Sequence, residues 1–166
     1  MPPIYQDTII TKYRNLILAA MPGVFKGVYQ GDPLRLPKSM LPALIISKSG
    51  TRIAPHTNAE DEHEISMILS VVTDIRDEMN DEQQIVPGIA QLYDLIEGRD
   101  DQYKLKTKTI LNILRTNIEV DAALNLRTDL GSITTSNYGL TVGKRELDSY
   151  ATEGQVEFVA TFNQIR

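Results

Sequence analysis

The stretch EISMILSVVTDIRDE, residues 64 to 78, carries the pattern on which the fold depends. Its apolar side chains occupy every second position over most of its length, at Ile65, Met67, Leu69, Val71 and Ile75, opposite Glu64, Ser66, Ser70 and Asp74. A period of two residues places these sets on the two faces of a β-strand. A helix is the alternative, because a second set of residues follows helical spacing: Ile65, Ile68, Leu69 and Val72. We predict a strand.

Two segments before this stretch are also rich in β-branched and apolar residues. VFKGVYQ (residues 24 to 30) and LPALIIS (41 to 47) are predicted strands, separated by the turn-rich GDPLRLPKSM. Pro42 should lie near the beginning of its strand or at a sheet edge, since proline cannot donate a ladder hydrogen bond. The polar segment from Ser49 to His63, about 15 residues long, is predicted to be an exposed, partly mobile loop.

Three segments have helical periodicity. After Asp7, a candidate N-cap, TIITKYRNLILAAM (8 to 21) predicts an amphipathic helix that Pro22 and Gly23 terminate. Pro87 suits the first position of a second helix, which Gly98 ends. Asp100 or Asp101 is predicted to cap a third helix, whose apolar stripe comprises Ile110, Ile113, Leu114 and Ile118.

The remainder of the chain is predicted to form strands. LRTDLGSITTSNYGLTVGKRELDSY (126 to 150) and GQVEFVATFNQIR (154 to 166) are rich in Thr, Val, Tyr and Phe. In the last strand, four side chains should face the core: Val156, Phe158, Ala160 and Phe162. The order of helix, three strands, two helices and two or three strands indicates an α+β fold. No internal repeat or low-complexity linker divides residues 1 to 166, so we predict a single domain.

Composition excludes several functions. The chain has 166 residues, of which 42% are hydrophobic, and it contains no cysteine. Thiol catalysis, disulfides and cysteine-ligated metals are therefore excluded. A net charge of -5 argues against a general phosphate-binding surface. No apolar run approaches the ~18 to 20 residues of a spanning helix, and the N-terminus lacks a secretory pattern, so we expect assembly in the cytoplasm without a membrane partner.

Both histidines lie beside carboxylates in TRIAPHTNAEDEHEISM, residues 51 to 67. Imidazole and carboxylate groups could hold zinc or manganese, and the candidates are His56, Glu60, Asp61, His63 and Glu64. On a strand, however, His63 shares a face with Ile65 and Met67, while Glu62 and Glu64 point the other way. The spacing matches neither HExxH nor a calcium loop. We predict no metal site.

A carboxylate-and-lysine nuclease centre is the second candidate site. It would use Asp100 and Asp101 with Lys104, Lys106 and Lys108. Helix capping explains the acids, and an exposed helix face explains the lysines. No nucleophile elbow, phosphate loop or dinucleotide fingerprint is present. The sequence thus predicts no catalytic, cofactor-binding or metal-ligating residue, no cofactor, and no enzyme.

The layout resembles the tail terminator, or tail completion, proteins of long-tailed bacteriophages. The resemblance covers most of the chain, through the opening helix DTIITKYRNLILAAMPGVF, the strands LPALIIS and EISMILSVVTDIRD, the paired helices from Pro87 to Val120, and the closing strand QVEFVATF. It consists of element order and apolar pattern rather than signature residues. The hairpin-like TTSNYGLTVGKRELDSY has no certain counterpart in that family.

The resemblance implies a mixed, largely antiparallel sheet flanked by helices, and six copies in a ring. That ring would lie in the virion, at the head-proximal end of the tail, where it ends tube growth and joins the head. The implied partners are the chain itself, the tail tube protein and a head completion or connector protein, with DNA only passing through the channel. Two alternatives stay open: another head–tail connector or head completion protein, and a small metal-dependent hydrolase or nuclease.

Overall fold

The stretch quoted first forms the middle of a β-sheet. A computed structural model describes residues 7–74, 87–140 and 151–165, and in it the strand β3 spans Glu60–Asp74. The predicted strand is confirmed as far as Asp74, while residues 75 to 78 lie outside the described ranges. Ile65, Met67, Leu69 and Val71 are all buried, because alternation presents them to one core.

The described residues form three α-helices and seven strands. The helices are α1 (Thr8–Ala20), α2 (Pro87–Glu97) and α3 (Ile110–Thr116). The remaining strands are β1 (Gly27–Gln30), β2 (Ala43–Pro55), β4 (Glu119–Asp121), β5 (Leu126–Thr128), β6 (Thr134–Leu140) and β7 (Ala151–Ile165). Single 3₁₀ turns occur at Lys38–Met40 and Leu130–Ser132.

All seven strands belong to one sheet. Their order is β1-β2-β3-β7-β5-β4, and β6 also pairs with β7. β1 runs parallel to β2, and every other pairing is antiparallel. The fold is therefore α+β with a mixed, mostly antiparallel sheet, as predicted. β7 is integral to it, because this strand pairs with β3 along its entire length.

The three helices pack on one face of the sheet and enclose the main core. Tyr13 and Ile17 of α1, Leu92 and Ile96 of α2, and Leu114 of α3 are completely buried there. From β7, Val156, Phe158 and Ala160 are buried as predicted, whereas Phe162 is half-buried at the margin. A smaller cluster on the opposite face joins Leu36 and Leu41 to Ala43, Ile45, Val72 and Ala151.

The predicted ends of α1 and α2 are confirmed. Asp7 caps α1, since its Oδ1 accepts hydrogen bonds from the backbone N–H groups of Ile9 (2.9 Å) and Ile10 (3.1 Å). Pro87 is the first residue of α2, and Gly98 follows its last. Pro42 directly precedes β2, where its missing N–H interrupts no strand ladder.

The predicted start and extent of α3 are wrong. Thr109, rather than Asp100 or Asp101, is the N-cap, and its Oγ1 accepts from the N–H of Asn112 at 3.3 Å. The helix ends at Thr116, so the helical region does not reach Val120. Ile118 is 43% exposed rather than part of the buried stripe, because it lies between the end of α3 and the start of β4.

Candidate functional site: the three-stranded arm

Three central strands continue past the core as a three-stranded extension. The last fully buried row across them contains Ile65 and Ala160, which are partners in the β3–β7 ladder. Beyond this row the strands run on for about five residues, or ~16 Å at 3.2 to 3.4 Å per residue. We define the arm as residues 60–64 of β3, 161–165 of β7 and 50–55 of β2; the first two of these β2 residues pair with Ser66 and Ile65 at the base of the arm.

The predicted loop from Ser49 to His63 is therefore wrong. Gly50 to Pro55 pair in register with Ser66 to Asp61 of β3, and β3 itself pairs with β7. Only residues 56 to 59 turn, and this turn is closed by its own hydrogen bonds: the N–H groups of His56 (3.0 Å) and Thr57 (3.1 Å) donate to the carbonyl of Glu60. The predicted exposure of residues 51 to 63 is confirmed for most of residues 51 to 59, whereas residues 60 to 63 are half-buried.

Two cross-strand rows distinguish the faces of the arm. On the helix-bearing face, Ile53, His63 and Phe162 are register partners, and the rings of His63 and Phe162 stack with centroids 4.6 Å apart. On the other face, an Arg52 guanidinium nitrogen (Nη1) lies 3.4 Å from the carboxylate Oε2 of its partner Glu64. The ordered arm thus presents both an aromatic row and charged side chains.

The candidate metal ligands diverge in this arrangement. His63 stacks on Phe162, while Glu62 and Glu64 project from the opposite face, as the alternation predicted. His56 Nδ1 lies 4.0 Å from Glu62 Oε2 across the turn. Among residues 7–74, 87–140 and 151–165, no group of three or more His, Cys, Asp or Glu side chains could hold a metal ion.

The candidate nuclease residues are also dispersed. Asp100 Oδ1 accepts hydrogen bonds from the backbone N–H groups of Gln102 and Lys104, both at 2.9 Å, so this carboxylate closes its own loop. Lys106 Nζ lies 2.7 Å from Asp94 Oδ1 of α2. Asp101, Lys104 and Lys108 are exposed. Asp100 and Lys106 therefore bind different partners.

The outer edge of β2 is open along the arm. β1 pairs only with Ala43 to Ile46, and within the described part of the chain no strand pairs with the outer edge from Gly50 to Pro55. Ile53 is 60% exposed on this edge strand. An open edge offers N–H and C=O groups in the spacing that another strand requires. The arm can therefore accept a partner through its backbone, its exposed apolar side chain and its charges.

Sequence reasoning missed that Ile53 lies exposed on a strand and that Phe162 is only half-buried. A weak signal was present, because Thr51, Ile53 and Pro55 alternate with Arg52 and Ala54. Gly50 and Pro55 favoured a loop over this strand pattern, since both residue types ordinarily mark turns. Proline is nevertheless compatible with an edge strand, where one side of the ladder is open.

Comparison of the sequence with protein-family models and with curated proteins finds no match. Among the helices that the structure describes, none combines the length and apolar character needed to span a bilayer.

Proposed function

We propose that this chain is a structural subunit that forms a ring, of six copies, at the head-proximal end of a bacteriophage tail tube. There it ends tube polymerisation and provides the surface to which the head attaches. The proposal rests on the order of helices and strands, which resembles that of tail terminators, and above all on the arm. It assigns the chain a binding role without catalysis, in the virion.

The arm supports an assembly role because ordering it costs conformational entropy that its few buried contacts in a monomer offset poorly. Ordering each backbone residue costs about 1 to 2 kcal/mol at 25 °C, and buried apolar contacts ordinarily offset that cost. Gly50 to Ile53 are exposed, and Ile165 at the end of β7 is 76% exposed. Their open edge and apolar side chains would gain burial in contact with another subunit.

A head-to-tail contact between copies would account for the proposed ring. A head-to-tail interface between identical subunits either closes on itself or grows without limit. A tube terminator requires a closed ring, in which each subunit contacts two neighbours through two different surfaces. The same ring can offer one set of edges to the tube and another to a head completion or connector protein.

A tail assembly reaction tests the proposal. Tail tubes are assembled with and without the purified protein and scored by electron microscopy for length and for a ring at one end. We expect a narrower length distribution and an added ring of six-fold symmetry. Tubes of unchanged length with bare ends would contradict the terminator function, and binding to heads instead would favour another head–tail connector.

A further inference from the structure

A basic cleft lies on the helix-bearing side of the molecule, away from the arm. It has a volume of about 510 Å³ and lies between the loop that follows α2, the helix α3 and the start of β6. Three cationic side chains line it, Arg99, Lys104 and Arg115, and no carboxylate does. This concentration of positive charge contrasts with the net charge of -5 on the whole chain.

The positive charge of the cleft is not neutralised within the part of the chain that the structure describes. No carboxylate there pairs with Lys104 or Arg115, and both side chains are exposed. Arg99 donates from Nη1 to the carbonyl of Tyr103 at 3.1 Å and lies over the Tyr103 ring, 4.7 Å from its centroid. These are contacts to neutral groups, so all three cations remain available to an acidic partner.

The loop beside the cleft is held in a fixed conformation. Arg99 and Leu105 form a bridge, and the N–H of Tyr103 donates to the carbonyl of Asp100 at 2.9 Å. Tyr103 has a φ of 62°, which is unfavourable for an aromatic residue, yet its side chain is 77% exposed. An ordered, exposed tyrosine next to an arginine is the residue combination enriched at protein interfaces.

The arm has the complementary composition. Within it, four carboxylates, those of Glu60, Asp61, Glu62 and Glu64, accompany one arginine. Its exposed Ile53 offers an apolar contact that matches Tyr103. A folded hairpin with an acidic end and an exposed apolar side chain therefore has the charge that the cleft would accept.

The arm of one molecule cannot reach its own cleft. Thr135, at the cleft, pairs with Val156 of β7, whereas the arm contains Asn163 of the same strand. These positions are about 23 Å apart at ~3.3 Å per residue, and a continuous paired strand connects them rigidly. Contact between the two surfaces therefore requires two molecules.

We infer that the acidic end of the arm of one copy binds the basic cleft of the next, which makes a head-to-tail interface between identical chains. The inference deepens the proposed function by naming the two surfaces through which ring neighbours meet. Each copy donates one arm and offers one cleft, so every copy has two neighbours. Opposite charges would steer the encounter and fix the register of the two surfaces.

Cysteine cross-linking tests the contact directly, because the natural sequence contains no cysteine. Glu62→Cys protein is mixed with Arg115→Cys protein and treated with a short bis-maleimide, both alone and on tail tubes. We expect a covalent dimer from the mixture that exceeds the yield from either variant by itself. The matched control replaces Arg115→Cys with Leu34→Cys, which is 89% exposed in the β1–β2 connection, and should give background yield.

Charge reversal provides the second measurement. Glu60→Lys and Arg115→Glu should each weaken self-association, measured by sedimentation, by about tenfold, and mixing the two variants should restore part of the loss. Equal cross-linking in the control mixture, or no effect of either reversal, would overturn the inference. So would tight, Arg115-dependent binding of a DNA oligonucleotide without any cross-linked dimer, since the cleft would then serve a nucleic acid.

The cross-linking and tail assembly experiments together distinguish failure of the arm-to-cleft contact from failure of the proposed function. Rings on tail tubes without the Glu62–Arg115 cross-link would overturn the arm-to-cleft contact and leave the terminator proposal intact. A specific cross-link with unaltered tubes would establish the contact and contradict the terminator proposal.

Discussion

Tyr13 shows how a single buried polar residue ties stability to pH. Its hydroxyl oxygen lies 2.8 Å from Thr128 Oγ1, and its ring packs 4.9 Å from that of Phe158. Burial raises the pKa of Tyr13 to about 12, although the hydrogen bond with Thr128 acts in the opposite direction. The native state therefore keeps this phenol neutral at pH values at which the unfolded chain ionises it.

The free energy of unfolding should consequently fall at alkaline pH. The contribution of this residue to stability is fully present below the ordinary tyrosine pKa of 10.0, and it disappears as the pH rises towards about 12. Ionisation of this residue should lower the free energy of unfolding by up to about 1.4 kcal/mol per pH unit. Urea denaturation across that range should show a shallower decline in Tyr13→Phe, and identical slopes in both proteins would contradict the assignment.

Tyr138 presents the opposite case, a buried hydroxyl that makes no hydrogen bond of normal geometry among the described residues, although Thr135 lies close enough to lower its pKa. Burial, and next the Glu97 carboxylate, raise the pKa of Tyr138 to about 12. Tyr138→Phe removes the unsatisfied group and keeps the ring, which packs 4.6 Å from that of Tyr93. We expect the free energy of unfolding to rise by up to about 1 kcal/mol. A decrease in the free energy of unfolding, measured by chemical denaturation, would show that the hydroxyl has a partner.

At the scale of elements, β7 serves both the core and the arm. Phe158 is 2% exposed within the main core, whereas Phe162, four residues later on the same face, is half-buried in the arm. Phe158→Ala should cost about 3 to 5 kcal/mol of unfolding free energy, a large part of a domain's stability. Phe162→Ala is the matched control and should cost less than half as much. Equal losses in thermal or urea unfolding would mean that the arm packs as tightly as the core.

The stability of the β2–β3 hairpin should not depend on metal, and its two histidines should contribute unequally to the free energy of unfolding. His56→Ala, at the exposed turn, should change the free energy of unfolding by no more than about 0.5 kcal/mol. His63→Ala removes the stack on Phe162 and should cost about 0.5 to 1.5 kcal/mol. The melting temperature should not respond to a chelator in either variant. Stoichiometric metal in the purified protein, with a large chelator effect, would restore the metal hypothesis.

At the scale of the whole molecule, folding and assembly should be separable by mutation. Ile53 on the arm and Leu34 in the β1–β2 connection are both exposed apolar residues, so arginine at either position should change stability by no more than about 0.5 kcal/mol. In the tail assembly reaction, Ile53→Arg should reduce the fraction of capped tubes, whereas Leu34→Arg should not. Equal capping by both variants would remove the arm from the assembly interface.

The sequence alone was sufficient to predict the elements with strong periodicity. Every second residue of β3 from Ile65 to Val71 is apolar, the spacing in α1 follows an amphipathic helix, and Asp7 and Pro87 mark helix starts. These signals are local, because the side-chain direction within one strand or helix depends only on its own backbone geometry. The α+β class follows from their order along the chain.

Only the tertiary structure decided where strands end and which surfaces face one another. The residues from Thr51 to Pro55 resemble a loop in isolation, yet they extend β2 because β3, supported by β7 on its other side, supplies an in-register partner. Asp100 resembles a helix cap but closes its own loop. Arg99, Lys104 and Arg115 form one cleft only because the loop after α2 lies beside α3 and β6. Periodicity indicates which side of an element is buried. Hydrogen-bond partners that are distant in sequence leave no local pattern. The arm and the cleft could therefore be recognised only once the strands were paired.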